Sequence, residues 1–110
     1  MKALVCNELG PTDNLTLEER PTPAPGKGEI LVDVKAAGVN FPDVLTVQGK
    51  YQFKPDLPFV PGVEVAGIVA EVGEGVTSRK VGDRVISTLP IGGFSEQCIS
   101  SEHGSFSMGE

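Results

Sequence analysis

The segment from Val39 to Tyr51, which reads VNFPDVLTVQGKY, holds the side chains best suited to a chemical role. Asn40 lies three residues before Asp43, and Tyr51 follows Gly49 by two residues. An amide donates and accepts hydrogen bonds without carrying charge, and a phenol donates to a carbonyl oxygen. These groups would orient a substrate rather than attack it. In the competing interpretation Asn40 only caps a helix and Tyr51 only packs.

A short helix within this segment would hold the two side chains on one rim. Pro42 suits the first helical turn, where its missing N–H is no loss. Asp43 is favoured in that turn by the helix dipole, and Gly49 suits the position just after the last turn. The segment therefore predicts a short helix over DVLTVQG, with Pro42 and Asp43 in its first turn and Gly49 at its end.

Six short apolar or alternating runs predict that the rest of the chain is mainly β. The 110 residues include 14 Gly and 9 Pro, which fall between these runs as turn residues. Gly67, inside a long apolar run, predicts a bulge or a close backbone contact. The tail SEHGSFSMGE is weakly patterned. The predicted strands are KALVC, LTLEER, ILVDVKAAGV, VEVAGIVAEVG, RVIST and FSEQCIS. Many short strands with one short helix favour a β barrel or sandwich.

The residues that could support other chemistry are few. Zinc sites draw their ligands mainly from Cys, His and carboxylates, but His103 is the single histidine and Cys6 and Cys98 are far apart in sequence. We therefore predict no metal site, and no serine or cysteine nucleophile with a histidine base. The run VGEGVTS begins like a dinucleotide fingerprint, but Ser78 stands where the third glycine belongs, which favours a turn. Glu64 opens an apolar strand, either at a barrel rim or buried, and we favour a structural role with backbone or arginine partners.

Composition narrows the classes of partner. The formal net charge is −6 with basic residues scattered, which argues against nucleic-acid binding. No apolar run is long enough to span a bilayer, and no secretory signal opens the chain. Two cysteines in such a chain predict reduced thiols and a cytoplasmic location.

Four segments taken together resemble one family. They occur in the order AAGVNFPDVLTVQGKY, PFVPGVEVAGIVAEVGEGV, VGDRV and GGFSEQC. The chain resembles the N-terminal part of medium-chain dehydrogenase/reductases, and within them the quinone oxidoreductase, or zeta-crystallin-like, branch. Zinc alcohol dehydrogenases of this superfamily carry a Cys just after the long strand and a His in the motif P-G-H-E. Asn40 or its neighbour, and Val63, stand at those positions here, so the resemblance points to the zinc-independent reductases.

The resemblance implies a GroES-like, partly open β barrel over residues 1–100. Residues 101–110 would be a tail or the start of a linker to a Rossmann domain that binds NADPH. Hydride would pass from the nicotinamide to a quinone or enone in the cleft between the domains. Asn40 and Tyr51 would be the catalytic residues. Asn40, Phe41 and Asp43 would be the cofactor-binding residues, and Asp43 would also brace the loop by hydrogen bonds.

Three alternatives stay open at this point. The first is that the chain is part of a quinone or enone reductase and is inactive by itself, because the segment that grips NADPH would lie in the missing domain. The second is a non-catalytic β-barrel interaction module, in which an exposed apolar face favours a homo-oligomer or another partner. The third is an enoyl reductase acting on acyl thioesters.

Overall fold

A computed structural model of the protein describes residues 1–108 and contains seven strands and one α-helix in that range. Residues 109 and 110, the last two of the predicted tail or linker, lie outside the described residues. No helix among residues 1–108 has both the length and the apolar character needed to cross a bilayer. The elements are β1 (Lys2–Val5), β2 (Thr16–Glu19), β3 (Glu29–Ala37), α1 (Phe41–Gln48), β4 (Glu64–Val72), β5 (Arg84–Thr88), β6 (Gln97–Ser101) and β7 (Ser105–Ser107).

Two antiparallel sheets account for the strands. β1 pairs with β2, and the other five strands form a sheet of order β6-β3-β4-β5-β7. Isolated bridges join Ala3 within β1 to Ser95, and Cys6, just after β1, to Phe59. The prediction of a mainly β fold with one short helix is confirmed. The helix ends at Gly49 as predicted, but it begins at Phe41, two residues before the predicted run DVLTVQG.

The core follows the alternation of the long strands. Side chains on the inner face form one apolar cluster, consisting of Ile30, Val32, Val65, Val69, Val85, Leu89 and Cys98. A second cluster of Cys6, Val47 and Phe59 joins the helix to the rest of the domain. β2 is more exposed than its alternating sequence predicted. Of its four residues only Glu18 is half-buried, and the other three are exposed.

Gly67 allows β3 and β4 to approach closely, as its position in the strand predicted. A Cβ at Gly67 would lie 2.1 Å from the carbonyl oxygen of Asp33 and 2.8 Å from Cγ1 of Val32. The register of β3 against β4 also shifts just beside it, between Val34 and Ala36. Only a residue without a Cβ fits between these two backbones.

The prediction of a weakly patterned tail is wrong for residues 101–107. A 3-10 helix, Glu102–Gly104, leads into β7, which pairs with β5. The Arg79 guanidinium fixes this segment by donating to the Ser105 hydroxyl at 3.0 Å and to the Ser105 carbonyl at 2.8 Å. These contacts join residues 26 positions apart in sequence, so no local pattern reveals them.

The carboxylate of Glu102 ties the same segment to the β4–β5 loop. Its Oε2 accepts from the Thr77 N–H at 3.0 Å, the Ser78 N–H at 2.7 Å and the Ser78 hydroxyl at 2.5 Å. These donors, the Ser78 hydroxyl foremost, lower the pKa of Glu102 from 4.5 to about 2. Ser78, which stands where a dinucleotide fingerprint would have its third glycine, therefore has a structural role.

We expect the free energy of unfolding to depend on pH through Glu102. Because its pKa is lowered in the folded state, its contribution is full above the unfolded pKa near 4.5 and is lost as the pH falls towards about 2. Denaturant unfolding of the protein and of Glu102→Gln should therefore differ most above pH 5 and converge by about pH 2. Glu74→Gln is the control, because Glu74 is an exposed carboxylate in the β4–β5 loop. The difference in free energy of unfolding between this variant and the unchanged protein should not converge in this way. If the free energies of unfolding of the protein and of Glu102→Gln differed by the same amount from pH 6 to pH 2, this role of Glu102 would be contradicted.

The two cysteines are free and buried, in separate parts of the core. Burial raises the pKa of the Cys98 thiol to about 11 and also raises the pKa of Cys6. At pH 8 we expect neither thiol to react with a disulfide reagent in the native protein, and both to react at once in denaturant. Thr88→Cys, which adds an exposed thiol on β5, provides the control. Reaction of the native protein at the rate of that surface thiol would contradict the burial of Cys98.

Candidate functional site

The start of α1 fixes the backbone around Asn40. The Asp43 carboxylate accepts from the Asn40 main-chain N–H at 2.8 Å, which is one half of a capping box. In the other half of a capping box the Asn40 side chain would accept from the Asp43 N–H, and it is positioned to do so. The Asp43 N–H instead donates to the Asn40 carbonyl oxygen, at 3.0 Å. The Asn40 amide makes no cap hydrogen bond and is half-buried. Asp43, only 4% exposed, braces this loop as the resemblance implied.

The end of α1 sets the position of Tyr51. Gly49 takes the left-handed conformation with φ of 75°, and the Lys50 N–H donates to the Leu45 carbonyl at 2.9 Å. The Gly49 N–H donates to the Thr46 carbonyl at 3.1 Å. This pair of bonds is a Schellman motif, which stops the helix and turns the chain sharply. Tyr51 follows this turn by two residues, and it shares a cavity with residues of the first two helical turns.

A cavity of about 170 Å³ lies against the first two turns of α1. Its walls come from four separate segments, namely the helix, the loop after it, the chain before β4 and the loop after β5. Most of the lining is apolar, with the Asp43 carboxylate, the Thr46 hydroxyl and the Tyr51 phenol as polar groups. The lining residues are Pro42, Asp43, Thr46, Tyr51, Phe53, Pro61, Gly62, Val63, Pro90 and Ile91.

Main-chain hydrogen bonds hold the far wall of this cavity in place. The N–H groups of Gly92, Phe94 and Gly93 donate to carbonyl oxygens of residues 60, 61 and 62, at 2.8 to 3.0 Å. Gly62 has φ of 105°, and a Cβ there would lie 2.8 Å from the Phe94 nitrogen. The close approach of these two segments brings Val63 and Ile91 into the same cavity as Tyr51.

The structure brings some of the predicted site residues together and leaves others apart. Asp43 and Tyr51 line the same cavity, and Tyr51 keeps 37% of its surface exposed. Asn40 is joined to Asp43 by a hydrogen bond but does not line the cavity. Phe41 is 72% exposed and does not line it either. Any cofactor held by Asn40 and Phe41 would therefore lie on the open side of the helix start.

Sequence reasoning missed the apolar walls supplied by Phe53, Val63 and Ile91. Each lies in an irregular segment, and their proximity arises from tertiary contacts between distant parts of the chain. The run of prolines between Tyr51 and Pro61 was the available signal, because such a loop in a compact domain is often functional.

Residues that could bind a metal are not grouped in the described part of the chain. Among residues 1–108, no set of three or more His, Cys, Asp or Glu side chains lies close enough to hold an ion. Val63, at the position of the histidine in the zinc enzymes, adds an apolar surface to the cavity. His103 is exposed on the 3-10 helix. Glu64 is also exposed, so it lies at the rim, and the backbone or arginine partner predicted for it is not found within residues 1–108.

Comparison with known proteins agrees with this architecture. The alcohol dehydrogenase GroES-like domain family matches residues 26–109. A quinone oxidoreductase-like protein 2 homolog of Nematostella vectensis is 46% identical over 100 residues, which are 89% of this chain and 27% of that protein. The synaptic vesicle membrane protein VAT-1 homolog of Rattus norvegicus is 41% identical over 112 residues, covering 100% of this chain and 28% of that protein.

Comparison with solved structures agrees with these sequence matches. The structure of Escherichia coli quinone oxidoreductase complexed with NADPH matches with a TM-score of 0.94 at 32% identity, over 99% of this chain and 33% of that one. The chain thus spans about a third or less of the length of these relatives. Family, identity and fold together show that the chain belongs to the alcohol dehydrogenase GroES-like domain family, in the zinc-independent quinone oxidoreductase branch of the medium-chain dehydrogenase/reductases.

Proposed function

We propose that this chain is the catalytic-domain portion of an NADPH-dependent reductase of quinones or enones. The single observation that carries the proposal is the cavity beside α1. In it an exposed phenol, that of Tyr51, shares an apolar pocket with Asp43, which is hydrogen-bonded to the backbone of Asn40. A flat conjugated carbonyl compound suits a pocket with apolar walls and few polar groups.

The residues around the cavity suit a reaction in which negative charge develops on a carbonyl oxygen. The Tyr51 hydroxyl can donate a hydrogen bond to that oxygen, and the apolar side chains of Phe53 and Val63 beside it make the surroundings less polar, which strengthens such a bond. Asn40, at the start of α1 beside the cavity, brings no charge that would oppose an enolate or a hydroquinone anion. The Asp43 carboxylate does line the cavity, and the hydrogen bond that it accepts from the Asn40 N–H offsets part of its charge.

The start of α1 fits the nicotinamide end of a cofactor. The Asn40 side-chain amide makes no cap hydrogen bond, so its donors and acceptor are available to a bound molecule. When bound, NADPH supplies the hydride, and neither a metal nor a covalent nucleophile is needed for that transfer. Asn40 would hold the carboxamide end, with Phe41 beside it, while Asp43 keeps the loop in place.

We propose further that most of the NADPH-binding surface lies outside this chain, in a Rossmann domain of a longer parent. Structural neighbours that were solved in complex with NADPH support the choice of cofactor. By itself the 110-residue chain should bind NADPH feebly and turn over nothing measurable. We place the protein in the cytoplasm, because both of its cysteines are free thiols.

The test is NADPH oxidation by this chain produced together with the coding sequence that follows it. We expect oxidation that requires a small quinone or a conjugated enone and is unaffected by a zinc chelator. Activity confined to an aldehyde in the presence of zinc would overturn the proposal. A strong preference for an enoyl thioester over free quinones and enones would replace it with the acyl-thioester enoyl reductase.

A further inference from the structure

The mouth of the cavity beside α1 is lined by two aromatic rings. Of the ten described residues that line this cavity, only Tyr51, Phe53 and Pro90 are exposed. Phe53 keeps 44% of its surface exposed and Tyr51 keeps 37%. The buried lining residues, among them Asp43 and Thr46, form the floor. A molecule that enters the cavity therefore passes the phenol of Tyr51 and the phenyl ring of Phe53.

The space behind this mouth is small, and its far wall is fixed. The cavity measures about 170 Å³, whereas sites for drug-sized ligands measure roughly 300–1,000 Å³. Pro61 and Pro90 have restricted backbone angles, and main-chain hydrogen bonds of 2.8 to 3.0 Å join residues 92–94 to residues 60–62. The cavity therefore has room for one conjugated ring, and a second ring fused to it would stay at the mouth.

Phe53 lies on a segment that can shift to meet such a ring. From Tyr51 to Pro58 the main chain forms no hydrogen bond with any part of residues 1–108. The N–H groups of Lys50 and Phe59, at the two ends of this segment, donate to carbonyl oxygens at 2.9 and 3.0 Å. A segment that is anchored at both ends and unbonded between them costs little free energy to move. The Phe53 ring can therefore adjust to a bound molecule while the far wall stays in place.

We propose that Phe53 is a specificity-determining residue of this site, and that it selects substrates whose carbonyl-bearing ring is fused to a second ring. The inference rests on the proposed reductase function, because it names the substrate class of the same cavity. The first ring occupies the cavity with its carbonyl oxygen near the Tyr51 hydroxyl. The second ring lies at the mouth against Phe53, where aromatic rings attract each other beyond the effect of buried area. A single-ring substrate does not make this contact.

Binding of a matched pair of probes to the 110-residue chain tests the inference without turnover. The probes are γ-pyrone and chromone, which are flat conjugated ketones that differ by one fused benzene ring. Tyr51 is the single tyrosine of the chain, so the ring signals in an NMR spectrum of tyrosine-labelled protein report on this cavity. We expect both probes to shift these signals, and chromone to bind at least about threefold more tightly than γ-pyrone.

Three variants assign the preference to the ring of Phe53. Phe53→Ala should weaken chromone binding about threefold to tenfold and leave γ-pyrone binding within about twofold of its original value. Phe53→Tyr keeps an aromatic ring and should keep the preference. Leu57→Ala is the matched control, because Leu57 lies in the same segment and is 45% exposed but does not line the cavity. It should change the binding of neither probe.

Turnover by the longer, NADPH-binding protein should show the same selection. Phe53→Ala should lower the ratio of kcat/KM for naphthoquinone to kcat/KM for benzoquinone about threefold to tenfold relative to the unchanged protein. The intrinsic reactivity of each quinone is the same with both proteins, so it cancels from this comparison.

The outcomes separate this inference from the proposed function. Equal binding of chromone and γ-pyrone, a chromone preference that survives in Phe53→Ala, or no change in the Tyr51 signals with either probe would overturn the selection by Phe53. If chromone binding depended on Phe53 but the longer protein oxidised NADPH with no quinone or enone, the proposed function would be overturned, and the binding preference of Phe53 would still be supported.

Discussion

Gly67→Ala should destabilise the domain by about 3 kcal/mol or more. Gly67 has an ordinary extended backbone, so alanine adopts its dihedral angles without strain, and the whole effect is steric. The added Cβ would lie 2.1 Å from the Asp33 carbonyl oxygen, and that atom belongs to the paired strand β3. The two longest strands would have to separate at the centre of the sheet. For a domain of this size such a loss is a large share of the total stability.

Denaturant unfolding measures the effect, and Gly75→Ala is the matched control. Gly75 lies in the β4–β5 loop with φ of 79° and nothing within 4 Å of an added Cβ. Its substitution should reduce the free energy of unfolding by only about 1–2 kcal/mol, from the left-handed backbone. If the two variants were equally stable, the close contact at Gly67 would be disproved.

Asn40→Ala should lower the turnover number of the longer, NADPH-binding protein about tenfold or more. The amide makes no cap hydrogen bond, because the Asp43 N–H bonds to the Asn40 carbonyl oxygen instead. Its removal should therefore change the melting temperature little while the reacting groups lose their orientation. Steady-state kinetics with a small quinone, together with thermal unfolding, separates the two effects.

Asn40→Asp is the control that distinguishes orientation from capping. Aspartate is as good an N-cap residue as asparagine and has nearly the same size, but it has no amide donors and carries a charge. If Asn40 orients a bound molecule, the aspartate variant should be as impaired as the alanine variant. Unchanged kinetics in Asn40→Ala, or full activity in Asn40→Asp, would show that the Asn40 amide does not orient a bound molecule.

The helix and Gly67 were predictable from the sequence because their signals are local. Pro42, Asp43 and Gly49 each act on backbone groups within a few residues, and the same contacts are present in the structure. Gly67 interrupted an otherwise apolar strand, which left close backbone approach or a bulge as its explanations.

The rest was not predictable because it depends on distant partners. β7 forms by pairing with β5. Two hydrogen bonds hold it there: the Ser78 N–H donates to the Glu102 carboxylate, and the Arg79 guanidinium donates to the Ser105 carbonyl. A three-residue strand has too little pattern to stand out in sequence. The wall of the cavity opposite Tyr51 likewise depends on how residues 60–62 bond to residues 92–94.

Transfer of deuterium from NADPH labelled at the reactive nicotinamide carbon tests the proposed function most directly. The longer protein, shown to be folded and to bind NADPH, is incubated with a conjugated enone, and the product is analysed by mass spectrometry and NMR. Our account predicts one deuterium on the carbon β to the carbonyl, with a yield that falls strongly in Asn40→Ala. An unlabelled enone recovered intact, from protein that binds NADPH, would contradict it.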